Sequence, residues 1–411
     1  MVFSPLSRLR WPALALAVAL LVALAGCAPA RHYEAALVLQ DFAAGSAGSR
    51  LKRSTPEPLR QAIAYTVAGR THQADLYLPA ALTGCGAPSP VAAGAMPGHC
   101  PRAALVAVPG AVPLGKDDPR LVAFATTMAR AGFAVLAPEI SGFRELRIRP
   151  ADAQDIADAF AWISRRPELA PDGRAGMFAF SYSVGPAVLA ALQDDIRERV
   201  RFIVGLGGYY DLPRAMLFFT TGGFEHEGRW QTITPDDTGR MVLAYSSLDY
   251  LAAAPDRAVF DRMVALRTRD PRADLAPLAA GLSPGAQAVY ALAVNTDPAR
   301  FAELYARLPR AMREDIDRLD LARHDLAPLQ ARLILVHGIN DNLIPWPQSR
   351  ALADAAPAGQ ARVFLIRRVL GHVDLERSDL FTWRFWREDL PDLWRLWRVI
   401  DLLLAEREAG A

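Results

Sequence analysis

Residues 175–192 read AGMFAFSYSVGPAVLAAL, and this stretch decides the fold. An apolar run meets two serines, a glycine and a proline, and then a run with helical composition. A sharp turn between a strand and a helix exposes a serine hydroxyl when small residues stand two places before and after that serine. Ser181 and Ser183 both meet this condition. The stretch therefore predicts an exposed nucleophile and leaves two serines to choose between.

Pro186 favours Ser183. A proline is tolerated in the first turn of a helix, because its missing N–H would have no partner there in any case. A helix starting just after Ser183 places Pro186 in that turn. A helix starting just after Ser181 makes Pro186 its fifth residue, at a cost of about 3 kcal/mol. We therefore predict Ser183 as the nucleophile.

A serine alone is inert, so the prediction also needs a histidine base and an acid that orients it. Asp341 follows an apolar run in LILVHGINDNLIP, and His372 follows the next such run in RVLGHVDLE. We predict His372 as the base and Asp341 as the acid, with Asp211 in GGYYDLP as the reserve acid. His337 is expected to pack at its strand end, and Asp374 to be solvated.

Strand-like and helical patterns alternate around this motif. The predicted strands are AIAYTVA (62–68), QADLYLP (73–79), AALVAVPG (103–110), FAVLAPE (133–139), AGMFAF (175–180), VRFIVGLGG (200–208), ARLILVHG (331–338) and ARVFLIRR (361–368). The predicted helices include 32–43, 121–132, 150–166, the run after Ser183, and 391–406. Fully apolar strands alternating with helices predict an α/β protein with a mainly parallel sheet covered on both faces.

One interruption divides this pattern. About 120 residues separate the strand near Gly208 from the strand near Ala331, where a crossover helix needs only about 10 to 20. The stretch has helical patterns punctuated by proline and glycine. We interpret residues 213–325 as a helical cap inserted into a core formed by residues 58–212 and 326–411.

The amino terminus resembles a bacterial lipoprotein signal. Arg8 and Arg10 precede the apolar run 13–25, which is too short to span a bilayer well and ends in LAGC. The resemblance implies cleavage after residue 26 and lipidation of Cys27, with an ordinary secretory signal as the alternative. In such signals an aspartate directly after the cysteine favours retention in the inner membrane. Because Ala28 stands at that position, we expect the protein to be anchored at the periplasmic face of the outer membrane. Residues 27–57 are predicted as a tether and a short helix.

Two further cysteines, Cys85 and Cys100, bound a loop rich in glycine, proline and alanine. Two cysteines of an exported protein most simply form a disulfide, and closing a loop of this length contributes about 3 kcal/mol. The alternative is two free thiols. A metal at Glu225, His226 and Glu227 is disfavoured, and we predict no metal and no cofactor.

The overall composition is that of a globular protein. Of the 411 residues, 52% are hydrophobic and 22% charged, and the formal net charge is +2. No basic face is concentrated enough to indicate nucleic acid as a partner. The sequence leaves the oligomeric state open.

Four of the eight tryptophans lie near the carboxyl terminus and are interleaved with arginines. These tryptophans are Trp383, Trp386, Trp394 and Trp397. Such a stripe more often packs a terminal helix on its core, with the arginines covering the edge. A membrane-facing surface is the alternative, and the two are compatible.

Taken together, SYSVG, HGINDNLIP and GHVD resemble the motifs of α/β-hydrolase-superfamily serine hydrolases, most like the esterase and dienelactone-hydrolase-like branches. The resemblance covers roughly residues 60–212 and 326–405. It implies the α/β-hydrolase fold, in which nucleophile, acid and histidine follow in this chain order.

The resemblance also implies an oxyanion hole built from the backbone N–H groups of Val184 and Ala111, with Val112 as the alternate second donor. Pro109 stands where the family carries a histidine, but backbone donors do not depend on that side chain.

The function expected from these residues is hydrolysis of a small-molecule ester or acyl substrate through an acyl-enzyme. A peptidase or acyltransferase using the same triad is the alternative within enzymes. A non-catalytic envelope binding or scaffold protein on the same fold is the alternative outside them.

Overall fold

The computed structural model describes residues 29–79, 100–251, 255–270, 272–372 and 385–408. The predicted signal peptide, Cys27, Cys85 and Asp374 lie outside these ranges, so the predictions made for them stay predictions. Within these ranges, none of the helices is both long and apolar enough to cross a membrane.

A large, mostly parallel sheet organises the chain. Eight strands lie in the order β1-β2-β4-β3-β5-β6-β9-β10. Only the pairs β1–β2 and β2–β4 are antiparallel, and the other neighbours are parallel. In the described residues ten strands occur, of which β7 and β8 form a separate two-stranded sheet. They are β1 (Leu59–Val67), β2 (Arg70–Leu78), β3 (Ala103–Val108), β4 (Phe133–Pro138), β5 (Ala175–Phe180), β6 (Phe202–Leu206), β7 (Gly223–His226), β8 (Arg229–Thr232), β9 (Arg332–Gly338) and β10 (Ala361–Ile366). The predicted mainly parallel sheet is confirmed.

Helices cover both faces of this sheet. They are α1 (Pro29–Ala44), α2 (Arg50–Ser54), α3 (Pro119–Arg130), α4 (Ser141–Arg144), α5 (Ala151–Ser164), α6 (Val184–Ala191), α7 (Leu212–Thr221), α8 (Thr238–Ser247), α9 (Pro255–Arg269), α10 (Ala276–Ala279), α11 (Pro284–Ala293), α12 (Phe301–Ala306), α13 (Arg310–Leu319), α14 (Pro347–Ala355) and α15 (Leu390–Glu408). Alternate side chains of β3 enter two apolar layers, Val106 on the side of α5 and α6 and Leu105 on the side of α3 and α15. This two-sided burial explains why the central strands are continuously apolar.

The segment between β6 and β9 is mainly helical. It contains α7 to α13 and the hairpin of β7 and β8, which the sequence patterns did not indicate. Its helices share one apolar core cluster with α5 and α6, because Leu243 of α8 and Val289 of α11 belong to the same group as Ile156. The division at residues 213 and 325 stays a prediction.

Helix α1 packs on the carboxyl-terminal helix α15. The Glu34 carboxylate accepts hydrogen bonds from both terminal nitrogens of the Arg407 guanidinium, at 2.6 and 2.7 Å. Arg31 pairs with Asp401 at 2.9 Å. Arg407 is only 1% exposed, and a buried ion pair that loses one partner costs about 3–5 kcal/mol. The first described helix is therefore held firmly against the last.

Asp152 provides a pH-dependent contribution to stability. It lies buried in the first turn of α5, and burial raises the pKa of its carboxyl to about 7, although its Oδ2 accepts the Arg149 N–H. A folded-state pKa above the unfolded value means that stability is fully present below pH 3.8 and is lost as the pH rises through about 7.

Asp152→Asn removes this titration. We expect the variant to match the wild type near pH 4 and to exceed it at pH 8 by on the order of 2–4 kcal/mol in urea unfolding. Asp194→Asn, at an exposed carboxylate, is the control substitution with which Asp152→Asn is compared. Equal profiles for Asp152→Asn and the wild type would contradict the shifted pKa.

Candidate active site

Ser181 stands at the sharp turn that follows β5. Its φ is +57°, a left-handed conformation that non-glycine residues seldom adopt. Holding it costs on the order of 1–3 kcal/mol, and such strain concentrates at functional sites because the surrounding structure enforces it. Ala179 and Ser183, two places to either side, are both small. Ser181 is therefore the residue at the apex of the turn.

The prediction of Ser183 as the residue facing the histidine is wrong. The Ser183 side chain is fully buried beneath the turn. Its hydroxyl accepts the Phe180 N–H at 3.0 Å and donates to the Phe180 carbonyl at 2.8 Å. Ser183 therefore closes the turn from within, and its hydroxyl does not contact His372.

The error has a simple structural cause. Ser181–Ser183 form one turn of 3₁₀ helix, and α6 begins only at Val184. Pro186 is consequently the third residue of α6, where its lack of an N–H costs nothing. The proline correctly located the start of the α-helix. The assumption that the α-helix starts directly after the serine at the apex of the turn was wrong.

His372 bridges Ser181 and Asp341. Its Nε2 lies 2.6 Å from the Ser181 Oγ, and its Nδ1 lies 2.6 Å from the Asp341 Oδ2. Asp341 follows β9 and His372 follows β10, so both lie at the carboxyl edge of the sheet, as does Ser181 after β5. The structure thus brings the predicted acid and base together, with a serine two residues earlier than expected.

Asp341 is fully buried and held on both oxygens. Its Oδ1 accepts the N–H groups of Leu343 and Ile344 at 2.8 and 2.9 Å, and its Oδ2 also lies 3.3 Å from the His337 Nε2. Burial alone would raise the pKa of this carboxyl. Attraction to His372 and the hydrogen bonds from both histidines outweigh burial and hold the pKa well below its usual range. Asp341 is therefore built to stay ionised.

His337 has a role that the sequence did not reveal. It is fully buried at the end of β9, as expected, and its Nδ1 lies 2.7 Å from the Ser349 hydroxyl. Its Nε2 lies 2.9 Å from the Ile344 carbonyl. His337 thus links α14 to the loop that carries Asp341. The only sequence feature that pointed to this role is the His-Gly pair at the end of LILVHG.

Gly207 makes room for this contact. It follows β6 with a φ of +65°, and a Cβ there would lie 3.2 Å from both the Asp341 Oδ2 and the His372 Cε1. A larger residue at this position would press on the acid–base pair. The glycine is therefore needed for the approach of the two loops as well as for its own backbone conformation.

Val184, which the sequence analysis predicted as an oxyanion donor, is the first residue of α6. Its N–H is directed at the carbonyls of Ser181 and Tyr182 within the turn, so it does not face the pocket. The prediction of Val184 followed from that of Ser183, since the donor is expected to be the residue after the nucleophile. Ala111 and Val112 both line the cavity beside Ser181, and the two are not distinguished by this geometry.

A cavity of about 440 Å³ opens onto the triad. Ser181 and His372 form its floor, and one wall is formed by residues 109–112, which follow β3 and are here named the β3 loop. The remaining lining is mixed, with apolar Leu121, Phe180 and Leu343 and polar Asp118, Arg120, Asp236, Thr238 and Asn342. The Asp236 N–H donates to the Asn342 carbonyl at 2.8 Å, so the inserted helical segment contacts the loop that carries Asp341.

The remaining candidates lie away from the triad. Asp211 caps α7 by accepting the Arg214 N–H, and His226 packs edge-on against Trp346. Among the described residues, no three histidine, cysteine, aspartate or glutamate side chains come together as metal ligands. The pairing of Cys100 with Cys85 stays a prediction.

The protein has the α/β-hydrolase fold, as shown by its strand order, its antiparallel β2 and the serine at the turn after β5. Within this fold, hydrogen bonds link Ser181, His372 and Asp341 into a triad. No family model and no curated protein sequence matches this chain.

Several solved structures are similar at low identity. A hypothetical protein from Pseudomonas aeruginosa is 16% identical over 86% of this chain and 98% of its own, with a TM-score of 0.40. The Pyrobaculum calidifontis esterase is 12% identical over 92% of this chain and 91% of its own, with a TM-score of 0.43. A puromycin-hydrolyzing peptidase of Mycobacterium tuberculosis is 16% identical over 85% of this chain and 39% of its own, with a TM-score of 0.44. Likenesses this distant carry no conclusion about activity.

Proposed function

We propose that the protein is a serine hydrolase of carboxylic esters, with Ser181 as nucleophile, His372 as base and Asp341 as acid. The observation that carries the proposal is the pair of 2.6 Å contacts through His372, one to the Ser181 hydroxyl and one to the buried Asp341 carboxylate. A serine hydroxyl is activated when a histidine takes its proton and an acid orients that histidine.

The chemistry follows from these contacts. The Ser181 Oγ attacks the ester carbonyl carbon while the His372 Nε2 accepts its proton. The protonated imidazole, stabilised by Asp341, then gives that proton to the departing alcohol and leaves an acyl group on Ser181. His372 deprotonates a water that attacks the acyl carbon, and the carboxylic acid departs as Ser181 regains its proton.

Backbone amides would hold the developing oxyanion. With Ser181 as nucleophile, the first donor is the Tyr182 N–H, and the β3 loop supplies the second. A Cβ built on Gly110 would lie 3.7 Å from the Ser181 Cβ, so this loop runs directly beside the nucleophile. Each such donor is worth about 10²–10³ in rate.

The experiment compares leaving groups on the purified protein. p-Nitrophenyl esters of increasing acyl length are set against the matching p-nitroanilides, with and without an added alcohol acceptor. We expect a burst of p-nitrophenol, in proportion to the protein, on the esters, because the acyl-enzyme accumulates. Faster turnover of the anilides would favour a peptidase, and ester formed from the added alcohol would favour an acyltransferase. A folded protein inert to all substrates would favour the scaffold function.

The protein is further proposed to be anchored in the cell envelope through lipidated Cys27, which the LAGC motif behind the apolar run supports. Mass analysis of the amino-terminal peptide tests the anchor. We expect an acylated Cys27 in the wild type, and an amino-terminal peptide without acylation in Cys27→Ala. An unmodified peptide beginning elsewhere would contradict it.

A further inference from the structure

Large apolar side chains are exposed on α1 and on the helical segment that leads into α15. In the described parts of the chain eight such side chains are exposed, and four of them belong to these elements. These four are Tyr33 (55% exposed), Trp386 (55%), Leu390 (42%) and Trp394 (53%), here named the aromatic face. An apolar surface of this kind on an otherwise ordinary globular protein marks an interaction site.

Three of these residues share one side of a continuous helical segment. Trp386, Leu390 and Trp394 follow each other at intervals of four, from the π-helical turn Phe385–Asp389 into α15. Residues four apart lie one above the other on a helix. The opposite side carries buried residues such as Leu396, so the stripe is the unpacked side of a well-packed helix.

Helix α1 packs against α15 next to Trp394. The Trp397 Nε1–H donates to the His32 carbonyl at 2.9 Å, and the two rings lie 5.5 Å apart. Trp394 lies one turn before Trp397, and Tyr33 directly follows His32. The tryptophan stripe of the sequence is therefore divided, with Trp397 packed against α1 and Trp386 and Trp394 left exposed.

Two arginines beside the face are paired with carboxylates of the same helix. Arg395 pairs with Asp392, and Arg398 pairs with Asp401, each at 2.7 Å. A partner that bound through charge would have to compete with these ion pairs. The surface is therefore suited to an apolar partner with a polar boundary, since tryptophan and tyrosine combine an apolar ring with a polar edge.

The preceding chain points to that partner. Helix α1 begins at Pro29, two positions after Cys27, and two residues span at most about 7 Å. An anchor at Cys27 would thus hold the first turn of α1, and the aromatic face with it, at the lipid surface.

We infer that the aromatic face lies in the lipid–water interface of the bilayer that holds the Cys27 anchor. The inference rests on the proposed anchor for the orientation of the protein, while the apolar contact itself is a property of the folded surface. Acyl chains and the face act together, because stable membrane attachment generally needs more than one signal. Contact through the face would present one fixed side of the protein to the membrane.

The test measures tryptophan quenching in membranes. The full-length lipoprotein is purified in detergent and reconstituted into phosphatidylcholine vesicles with and without brominated acyl chains. We expect brominated lipid to quench the wild-type emission, and most of this quenching to be lost in Trp386→Gln/Trp394→Gln. Trp230→Gln, at a tryptophan 50% exposed on the β7–β8 hairpin, should retain it. Circular dichroism and ester hydrolysis confirm that each variant is folded.

Two results would overturn the inference. The first is wild-type protein that co-floats with the vesicles but shows no quenching by brominated lipid. The second is a double variant that changes from dimer to monomer in sedimentation without any change in quenching, which would assign the face to a second copy of the chain.

Failure of the anchor is separable from failure of the face. If the mass of the amino-terminal peptide shows no acylation, the same brominated vesicles are added to the unlipidated protein. Quenching that depends on Trp386 and Trp394 would then support the face alone, and its absence would overturn it.

Discussion

Ser181→Ala is expected to abolish covalent labelling by a fluorophosphonate probe and to lower kcat by at least about 10⁴-fold, because the attacking oxygen is removed. The variant should fold normally, since the Ser181 hydroxyl points to His372 and not into the core. Ester hydrolysis and in-gel fluorescence measure the two effects. Labelling that survives in Ser181→Ala would place the nucleophile elsewhere.

Ser183→Ala is the matched control, because it removes an equal hydroxyl two residues away. Labelling should persist in this variant. Stability should fall by about 1–3 kcal/mol, since the alanine leaves the Phe180 N–H without its partner beneath the turn. The pair of variants thus separates a chemical effect at Ser181 from a structural one at Ser183. Loss of labelling only in Ser183→Ala would restore the nucleophile predicted from the sequence.

Asp341→Asn is expected to lower kcat by about 10⁴-fold while the fold persists. The new amide oxygen still accepts the Leu343 and Ile344 N–H groups, but its NH₂ faces His372 Nδ1 in place of a carboxylate oxygen. The histidine is then driven to the wrong tautomer and its charged form loses its stabilising partner. Asp211→Asn, at the helix-capping reserve acid, should retain activity near the wild-type level.

The same substitution has a pH signature in stability. The pKa of the Asp341 carboxyl is held below its unfolded value of 3.8, so its contribution is present above that pH and is lost as the pH falls further. We expect the wild type to be more stable than Asp341→Asn at pH 7, with the difference shrinking below pH 4. A difference in urea unfolding that is constant from pH 7 to pH 3 would contradict an ionised, partnered carboxylate.

The architecture could be predicted because buried strands and helices show characteristic local patterns of apolar residues. The run AALVAVPG is apolar throughout because β3 is covered on both faces, and its alternation with helical patterns predicts a parallel sheet. The contact between Asp341 and His372 was predictable because each follows a strand, and parallel strands bring such positions to one edge. The β7–β8 hairpin was missed because its short strands are largely exposed and carry no apolar alternation.

The sequence by itself determined the sheet, its covering helices, the start of α6 two residues before Pro186, and the two loops that carry Asp341 and His372. Only the tertiary structure decided which serine meets the histidine. Both serines have small neighbours, and the choice depends on whether a 3₁₀ turn separates the strand from the α-helix, which composition does not encode. The left-handed backbone of Ser181 and the buried bonds of Ser183 exist only because β3, β5 and the β10 loop enclose that turn. Long-range packing, which no local pattern contains, therefore decided which serine contacts His372.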